Sequence, residues 1–416
     1  MKPRSDFRAQ VDEEGRLIFP PEVVSRHGLG PGAQLRIEEG ANGVRLRQPV
    51  THLAKVYVEV TSRCNLECRA CIRNSWKEPL GQMETGTFSR VLEGLRAFSP
   101  PPTVFFGGFG EPLAHPSSVE MVAQAKTLGG RVELITNGTL LAQDMSRRLI
   151  AAGLDMLWVS LDGATPESYT DVRLGAALPE VLANLKAFRD ARGPGRQAAT
   201  PQIGIAVVVM KRNVAELPAV LRLGERLGAT RFMVTNLLPY SKAMCQETLY
   251  PNVLSNFAYS PSPYRLELPK MDVSQITRKH LYEVMRGGLS ISLAGGNLTE
   301  ANDRCPFIER GATAIAWDGG LSPCLPLLHD HVSFLREQER ASRRYVVGKV
   351  TEHDLRDLWA DPEYVAFRER VQAFDFSPCT DCGGCNLSET NDEDCFGNRF
   401  PTCGGCLWAQ GVIQCP

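Results

Sequence analysis

Three cysteines stand within eight residues, Cys64, Cys68 and Cys71, spaced C-x3-C-x2-C. Thiolates are soft ligands, suited to zinc, copper and iron–sulfur clusters. Three of them this close fit on one loop wrapped around a compact group, and no fourth ligand follows nearby. A [4Fe–4S] cluster normally takes four cysteines. Three would leave one iron open, and an open metal position is where a substrate binds. A structural zinc knuckle or inert buried thiols are the plainer alternatives. Zinc spacing usually shows two C-x2–4-C pairs, and this stretch has no second pair. Just upstream, Val56 to Val60 is a β-branched run that reads as a short buried strand. The cysteine loop is thus expected at the mouth of a strand.

The elements that must position this loop are legible in residues 52–240. Candidate strands at 55–60, 103–107, 131–135, 156–161, 203–209 and 231–236 alternate with helical patterns at 87–98, 117–128, 140–152, 180–192 and 214–227. Strands alternating with helices imply parallel pairing through right-handed crossovers. Six such units predict an α/β partial (βα)6 barrel, open on one side. In barrels the chemistry sits at the C-terminal strand ends, where unusual residues recur. Phe105 to Pro112 reads FFGGFGEP and offers Gly107, Gly108, Gly110 and Glu111; glycines let backbone approach a ligand closely, or simply make a tight turn. Thr136-Asn137-Gly138 ends the third strand. Ser160 and Asp162 alternate with apolar Val159 and Leu161, so they share one face. Arg173 follows, a residue that can grip a carboxylate with two hydrogen bonds or lie solvated on a helix.

Together these residues resemble the radical S-adenosylmethionine (radical SAM) enzymes. The resemblance rests on C-x3-C-x2-C after the first strand, a GGE(P)-like loop, T-N-G, and S-L-D-G. Two details depart from the pattern. Ala70 stands where an aromatic residue usually precedes the third cysteine, and Phe109-Gly110 interrupts G-G-E-P. The resemblance implies that Cys64, Cys68 and Cys71 hold a [4Fe–4S] cluster whose open iron binds SAM. It also implies that Gly107, Gly108, Gly110, Glu111, Thr136, Asn137, Ser160, Asp162 and Arg173 line the SAM pocket, and Asn213 lies near the adenine. The chemistry implied is reductive cleavage of SAM to a 5′-deoxyadenosyl radical that takes a hydrogen atom from an unactivated carbon.

Thirteen cysteines set this chain apart in composition, and nine of them lie between 305 and 415. The motif Cys305-x13-Gly319-x4-Cys324 contains the hairpin signal Asp318-Gly319-Gly320. Cys379, Cys382, Cys385, Cys395, Cys403, Cys406 and Cys415 close the chain. Residues 301–416 resemble the SPASM extension, which holds two auxiliary [4Fe–4S] clusters. Nine cysteines exceed the eight that two clusters need, and a four-cysteine zinc site also uses C-x2-C pairs, so the allocation stays open. His329, Asp330 and His331 follow the hairpin, either as acid–base groups or as a solvated loop.

Two stretches remain. Residues 1–50 alternate short apolar runs with Gly and Pro turns. They resemble a small all-β, AbrB/SpoVT-like swapped-hairpin domain in Gly15 to Pro20 and Gly28 to Gly32, which implies a homodimer. Eight Lys/Arg against seven Asp/Glu there give no basic footprint for DNA. Residues 241–300 read as an irregular bridge with one helix near Arg278 to Arg286. The whole chain has 46 Lys+Arg and 47 Asp+Glu, which disfavours a nucleic-acid or membrane-surface role. It has no apolar run of about 18 residues and no export signal, so a cytoplasmic protein is expected. The AbrB-like head, FGGFGEP and the tail CGGCLWAQG together resemble the tungsten cofactor oxidoreductase radical SAM maturases. This implies a protein or peptide substrate such as a tungsten aldehyde oxidoreductase, and an electron donor such as ferredoxin or flavodoxin. The alternatives are a peptide-modifying SPASM enzyme with another target, a DNA-binding iron–sulfur regulator, or an electron carrier.

Overall fold

The computed structural model describes residues 7–30, 33, 35–40, 43–192, 200–250, 264–272, 274–286, 289–293, 304–335, 337–377, 379–380 and 385–416. The chain opens with an antiparallel pair, β1 (Gln10–Val11) and β2 (Leu17–Ile18), then helix α1 (Pro21–His27). A hairpin of β3 (Arg36–Gly40) and β4 (Gly43–Arg47) follows. The expected all-β head is therefore corrected, because it contains a helix. Pro21 supplies the fixed φ favoured at a first helical position, and Gly28 closes the helix at φ 63°. The Pro and Gly signals that read as turns mark the two ends of that helix.

The barrel follows as β5 (Lys55–Val58), α2 (Thr85–Leu95), β6 (Thr103–Phe106), α3 (Ser118–Lys126), β7 (Val132–Thr136), α4 (Gln143–Ala151) and β8 (Met156–Ser160). It continues through α5 (Pro166–Val172), α6 (Leu178–Ala191), β9 (Gln202–Val209), α7 (Leu217–Arg226) and β10 (Arg231–Asn236). The six strands are parallel and lie side by side in chain order. Parallel strands covered on both faces read as near-continuous apolar runs. Met156, Leu157 and Val159 of β8 accordingly have no exposed surface.

The sheet does not stop at six strands. After the short α8 (Lys242–Cys245), β11 (Tyr264–Leu268), α9 (Arg278–Arg286) and β12 (Leu289–Leu293) add another parallel β–α–β unit beyond β10. This corrects the irregular bridge expected at 241–300. Tyr-Arg-Leu-Glu-Leu and Leu-Ser-Ile-Ser-Leu both alternate with period two, and Pro269 lies just past the end of β11, where it removes no ladder bond.

On the other side, the C-terminal region is built into the same sheet. After α10 (Pro306–Glu309), strand β13 (Ala312–Ile315) pairs parallel with β5, and β14 (Gly320–Ser322) turns back antiparallel. The hairpin signal at Asp318–Gly320 thus forms its turn. A separate hairpin, β15 (His331–Leu335) and β16 (Gln338–Ser342), precedes β17 (Gly348–Lys349), which pairs with β14. Helices α11 (Leu355–Ala360) and α12 (Pro362–Ala373) follow. The tail then runs back to the barrel. Val412 O accepts from Asn236 Nδ2 at 2.9 Å, Gln414 N donates to Thr235 Oγ1 at 2.8 Å, and Pro416 O accepts from Lys55 Nζ at 2.8 Å. It therefore touches β10 and β5, the first and last strands of the six.

Arg368 fastens the joint between the head and the helices. It is 1% exposed, with Nε donating to Val50 O at 2.8 Å and Nη2 to Trp359 O at 2.7 Å. Its guanidinium carbon lies 3.8 Å from the Trp359 ring centroid and 4.1 Å from that of Tyr364. Arg368→Leu strands two buried carbonyls and removes both ring contacts, so it is expected to cost about 2–4 kcal/mol. Thermal unfolding of the full chain measures this; an unchanged midpoint would contradict the role.

Candidate active site at the barrel mouth

Beyond β5 the chain leaves the sheet and returns at Met83, whose N–H donates to Val60 O at 2.7 Å. The base of this loop is closed by a bridge between Thr61 and Gln82, and by Gly81 N donating to Ser62 Oγ at 2.9 Å. Cys64, Cys68 and Cys71 all lie in it, half-buried. Arg73 is threaded through the loop, donating to Ser62 O and Leu66 O, both at 3.1 Å, and from Nε to Cys71 Sγ at 3.3 Å. Asn74 Nδ2 donates to Cys68 O at 3.1 Å and to Tyr240 Oη at 2.9 Å, and Tyr240 donates to Arg69 O. Tyr240 follows β10, so the loop is tied across the barrel mouth. Sequence reasoning missed Arg73, Asn74 and Tyr240. Arg73, two residues past the third cysteine, was the only one with a signal in its spacing.

Each sulfur faces an N–H group from a different element. Arg73 meets Cys71, Asn137 Nδ2 lies 3.9 Å from Cys64 Sγ, and Arg173 Nη1 lies 4.0 Å from Cys68 Sγ. Burial pushes the Cys64 and Cys68 thiols up, and the charges of Arg73 and Arg173 pull them back. The three sulfurs are close enough for their charges to act on one another. Among the described residues, no three His, Cys, Asp or Glu side chains close on a point that a single ion would fill. A cluster does not require that, since each thiolate binds a different iron. Three thiols sharing one cavity, each with a polar hydrogen aimed at it, suit an anionic iron–sulfur group.

The strand ends divide into braces and presenting groups. Glu111 is 2% exposed, and its oxygens accept from Thr136 Oγ1 at 2.8 Å, Asn137 N at 2.7 Å and Leu113 N at 3.1 Å. Burial pushes this carboxyl above the usual carboxylate range, and those bonds offset only part of the rise. Glu111 and Thr136 thus spend their polar atoms on each other and lock the end of β6 to the end of β7. Asn137 is shared between Asn65, Thr139 and the cysteine loop. Gly107 is buried against Phe105 and Ile135, and Gly110 lies against the carbonyls of Thr61 and Arg63, where a side chain would collide. Ser160 is half-buried at the end of β8.

Asp162 is 2% exposed and holds Arg173 through Nε at 2.8 Å and Nη2 at 2.7 Å, while its other oxygen accepts from Val208 N at 2.7 Å. Burial alone would lower Arg173, and the Asp162 charge raises it. Arg173 is therefore a buried, paired cation, not a solvated helix arginine. Asn213 braces the same corner, donating to Asp162 O and Val208 O, both at 2.9 Å. The Tyr169 hydroxyl is buried without a hydrogen-bond partner, within reach of the charges of Arg173, Asp162 and Cys68. An orphaned polar atom beside this ion pair is what a bound polar ligand would satisfy.

A second concentration of sulfur lies in the C-terminal region. Cys305, Cys324 and Cys403 are buried, and with Cys406 their charges act on one another. Burial pushes Cys305 up to about 12 and drives Cys324 and Cys403 well above the usual thiol range. Cys415 lies within range of Cys406, accepts from Trp408 Nε1 at 3.3 Å, and is pushed up by burial to about 11. Arg340 stands between Cys379 and the Cys403–Cys406 pair. Cys385 is half-buried and Cys395 exposed; Cys382 lies outside the described residues. The four mutually close thiols are a donor set of the size one cluster needs.

Asp162→Asn would leave Arg173 a buried cation without its counter-charge. The expected loss is about 3–5 kcal/mol of stability, read as a lower urea midpoint for the full chain; an unchanged midpoint would show the pair to be solvated.

Residues 58–223 match the Radical SAM superfamily, and residues 305–386 match SPASM, an iron–sulfur cluster-binding domain. The chain is 33% identical over 368 residues to the tungsten-containing aldehyde ferredoxin oxidoreductase cofactor-modifying protein of Pyrococcus furiosus, covering 87% of this chain and 96% of that one. It is 26% identical over 313 residues to the AdoMet-dependent heme synthase of Methanosarcina barkeri, covering 73% and 81%. It is 27% identical over 354 residues to the mycofactocin maturase MftC of Mycobacterium ulcerans, covering 83% of each. Two solved structures share the fold, both at 15% identity with a TM-score of 0.52: anSMEcpe with bound AdoMet, covering 79% of this chain and 86% of that one, and SuiB of Streptococcus suis bound to S-adenosylmethionine, covering 80% and 71%. Among the described residues no helix is long and apolar enough to cross a membrane. With each domain matched in its own stretch and one relative aligned along nearly all of both chains, this protein belongs to the radical SAM enzymes that carry a SPASM domain, with SAM and a [4Fe–4S] cluster as barrel cofactors and auxiliary iron–sulfur clusters in the C-terminal region.

Proposed function

We propose that this enzyme cleaves SAM reductively and uses the radical chemistry to mature a tungsten-containing aldehyde oxidoreductase, acting on that protein or on its pterin cofactor. The observation that carries the first half is the loop of three thiols, each met by an N–H donor, at the C-terminal mouth of a parallel barrel. The second half draws on the alignment with the Pyrococcus furiosus protein. Cys64, Cys68 and Cys71 would hold the cluster, leaving one iron for SAM. Bound there, the reduced cluster and SAM supply a 5′-deoxyadenosyl radical able to take a hydrogen atom from an unactivated carbon.

The chain's own residues bind and orient. The backbone from Gly107 to Gly110 would offer carbonyls to the methionine amino group, and it is packed so closely on Phe105, Ile135 and the carbonyls of Thr61 and Arg63 that no side chain fits at Gly107 or Gly110. Ser160, Asp162 and Arg173 form the polar wall for the carboxylate and ribose. Glu111, Thr136 and Asn137 hold the strand ends that carry that wall. In the C-terminal region, Cys305, Cys324, Cys403 and Cys406 would hold one auxiliary cluster. Cys379, Cys382, Cys385 and Cys395 would serve the other, with Cys415 over. An electron donor of the ferredoxin or flavodoxin type would reduce the barrel cluster.

The head would bring two copies together. Seven of the eleven exposed large apolar side chains among the described residues lie between Phe7 and Leu46. A two-stranded hairpin is marginal alone, and a partner head would cover Ile37 and Val44, which are 62% and 64% exposed.

Three outcomes are expected. Reduced, iron-replete enzyme incubated anaerobically with SAM forms 5′-deoxyadenosine, and Cys64→Ala, Cys68→Ala or Cys71→Ala each removes that product together with one cluster's share of iron; no product from the wild type sinks the proposal. A host that makes the tungsten oxidoreductase without this chain yields inactive oxidoreductase; full activity would redirect the search to another peptide target, leaving SAM cleavage in place. Light scattering gives two chains per particle for the wild type and one for the Ile37→Asp/Val44→Asp double variant; a monomeric wild type removes the dimer.

A further inference from the structure

Where the barrel mouth meets the C-terminal region, three residues converge that the account so far does not use. Glu59 is the residue after β5, Glu78 lies in the cysteine loop past Trp76, and His329 lies between Cys324 and β15. His329 is 2% exposed and Glu59 1%. His329 Nε2 stands 2.7 Å from Glu59 Oε2, and Nδ1 stands 2.9 Å from Glu78 Oε2. The remaining carboxylate oxygens are also taken. Glu59 Oε1 accepts from Phe109 N at 3.1 Å, and Glu78 Oε1 accepts from Asp330 N at 2.7 Å. The imidazole stacks on Trp76, with ring centroids 4.2 Å apart, and meets the edge of Phe109 at 5.9 Å.

We propose that His329, clasped between Glu59 and Glu78, is a positioning residue for the SAM pocket: it fixes the Gly108–Glu111 loop through Glu59 and locks the C-terminal region onto the barrel mouth. The proposal rests on the reading of that pocket given above. Glu59 is the lever. Its side chain fills the space where a side chain on residue 108 would lie, so Gly108 passes directly over it, and its carboxylate holds the next peptide N–H. A displaced Glu59 would release both contacts in the loop that faces the methionine amino group. His329 sets Glu59, and Glu78 sets His329 from the cysteine loop. The clasp thus joins three chain segments at one ring.

The clasp needs two protons on the ring, since a neutral imidazole has one N–H and both nitrogens face carboxylate oxygen. Burial draws the imidazole down, and the bonds and charges of Glu59 and Glu78 outweigh it, so His329 lies above the ordinary histidine range. The neighbouring His331 is drawn down by burial, with Asp330 and Arg340 acting on it in opposite directions, and its Nδ1 contacts His329 O at 3.1 Å. The sign follows from linkage. A raised folded-state value gives stabilisation that is complete below the ordinary pKa of about 6.5. That stabilisation is lost as pH rises through the folded value, so the clasp opens on the alkaline side.

Trp76 reports the charge, because a stacked imidazolium quenches indole emission and a neutral imidazole quenches it less. The emission difference between wild-type holoenzyme and Trp76→Phe is expected to rise in one step at a pH above about 6.5, and Glu78→Gln should move that step down. His329→Gln and Glu78→Gln should each weaken SAM binding to the anaerobic holoenzyme by about tenfold or more. Glu78, 23% exposed, keeps the test alive where His329→Gln fails to fold. A flat titration, a step at or below the ordinary histidine value, or unchanged SAM affinity in both variants overturns the clasp. Wild-type enzyme that binds no SAM overturns the reading of the pocket and the positioning role with it, which a flat titration beside normal SAM binding does not.

Discussion

Negative charge on sulfur, gathered on one short loop, is the constraint that orders this molecule. Two unit charges about 6 Å apart repel by about 3 kcal/mol at an effective dielectric constant near 20. Three thiolates in one cavity multiply that, and the protein must answer with donors. Arg73 comes from the loop itself, Asn137 from the end of β7 and Arg173 from the end of α5. Each donor brings its own requirement. A buried guanidinium needs a counter-charge, so Asp162 is held beneath Arg173; Asp162 in turn needs donors, which Val208 N supplies. The polar inventory of the strand ends follows outward from the sulfur in this way.

The same logic explains why the C-terminal region is fused to the barrel and not tethered to it. β13 pairs with β5 along the strand that launches the cysteine loop. Cys324 and His329 follow β14 within a few residues, so their placement inherits the register of that pairing. The tail then runs to β10 and β5 by way of Thr235, Asn236 and Lys55. A six-stranded sheet leaves its first and last strands unpaired with each other, and this tail touches both. The thiols of Cys305, Cys324, Cys403 and Cys406 are carried by three of these segments, so four sulfurs from distant parts of the sequence are brought together by the pairing of the sheet and the path of the tail.

Much of this was legible in the residues. The six barrel strands matched expectation to within about two residues, because buried parallel strands are continuous apolar runs and their ends carry Gly, Asn or Asp. The helix at Arg278–Arg286 was legible for its period. β11 and β12 were not, because nearby prolines masked two five-residue alternations. In the head, Pro21 and Gly28 are as much helix boundaries as turn residues, and a seven-residue helix has too little periodicity to decide. At the site, the motif residues lie together at the strand ends and in the cysteine loop, while several residues that tie those segments to one another carry no motif. Tyr240, Glu59 and Glu78 act through contacts across the fold, which no local spacing encodes. His329 and His331 could be read either as acid–base groups or as part of a solvated loop, because burial is not written in a short polar run.

The distribution of these braces bears on where substrate is recognised. Glu111, Thr136, Asp162 and Asn213 have their polar atoms engaged by other parts of the barrel. Leu325, Leu327 and Leu328, just after Cys324, are buried and apolar, so this stretch presents no acid or base. A barrel whose polar strand ends are spent on cofactor and scaffold has little left with which to read a partner. Association between chains then falls to surfaces outside it, and among the described residues most of the exposed large apolar side chains, Val11, Ile37 and Val44 included, lie in the head. The division is physically economical: a cofactor pocket demands rigid, braced walls, while association between chains demands an exposed apolar face, and one set of residues cannot be both.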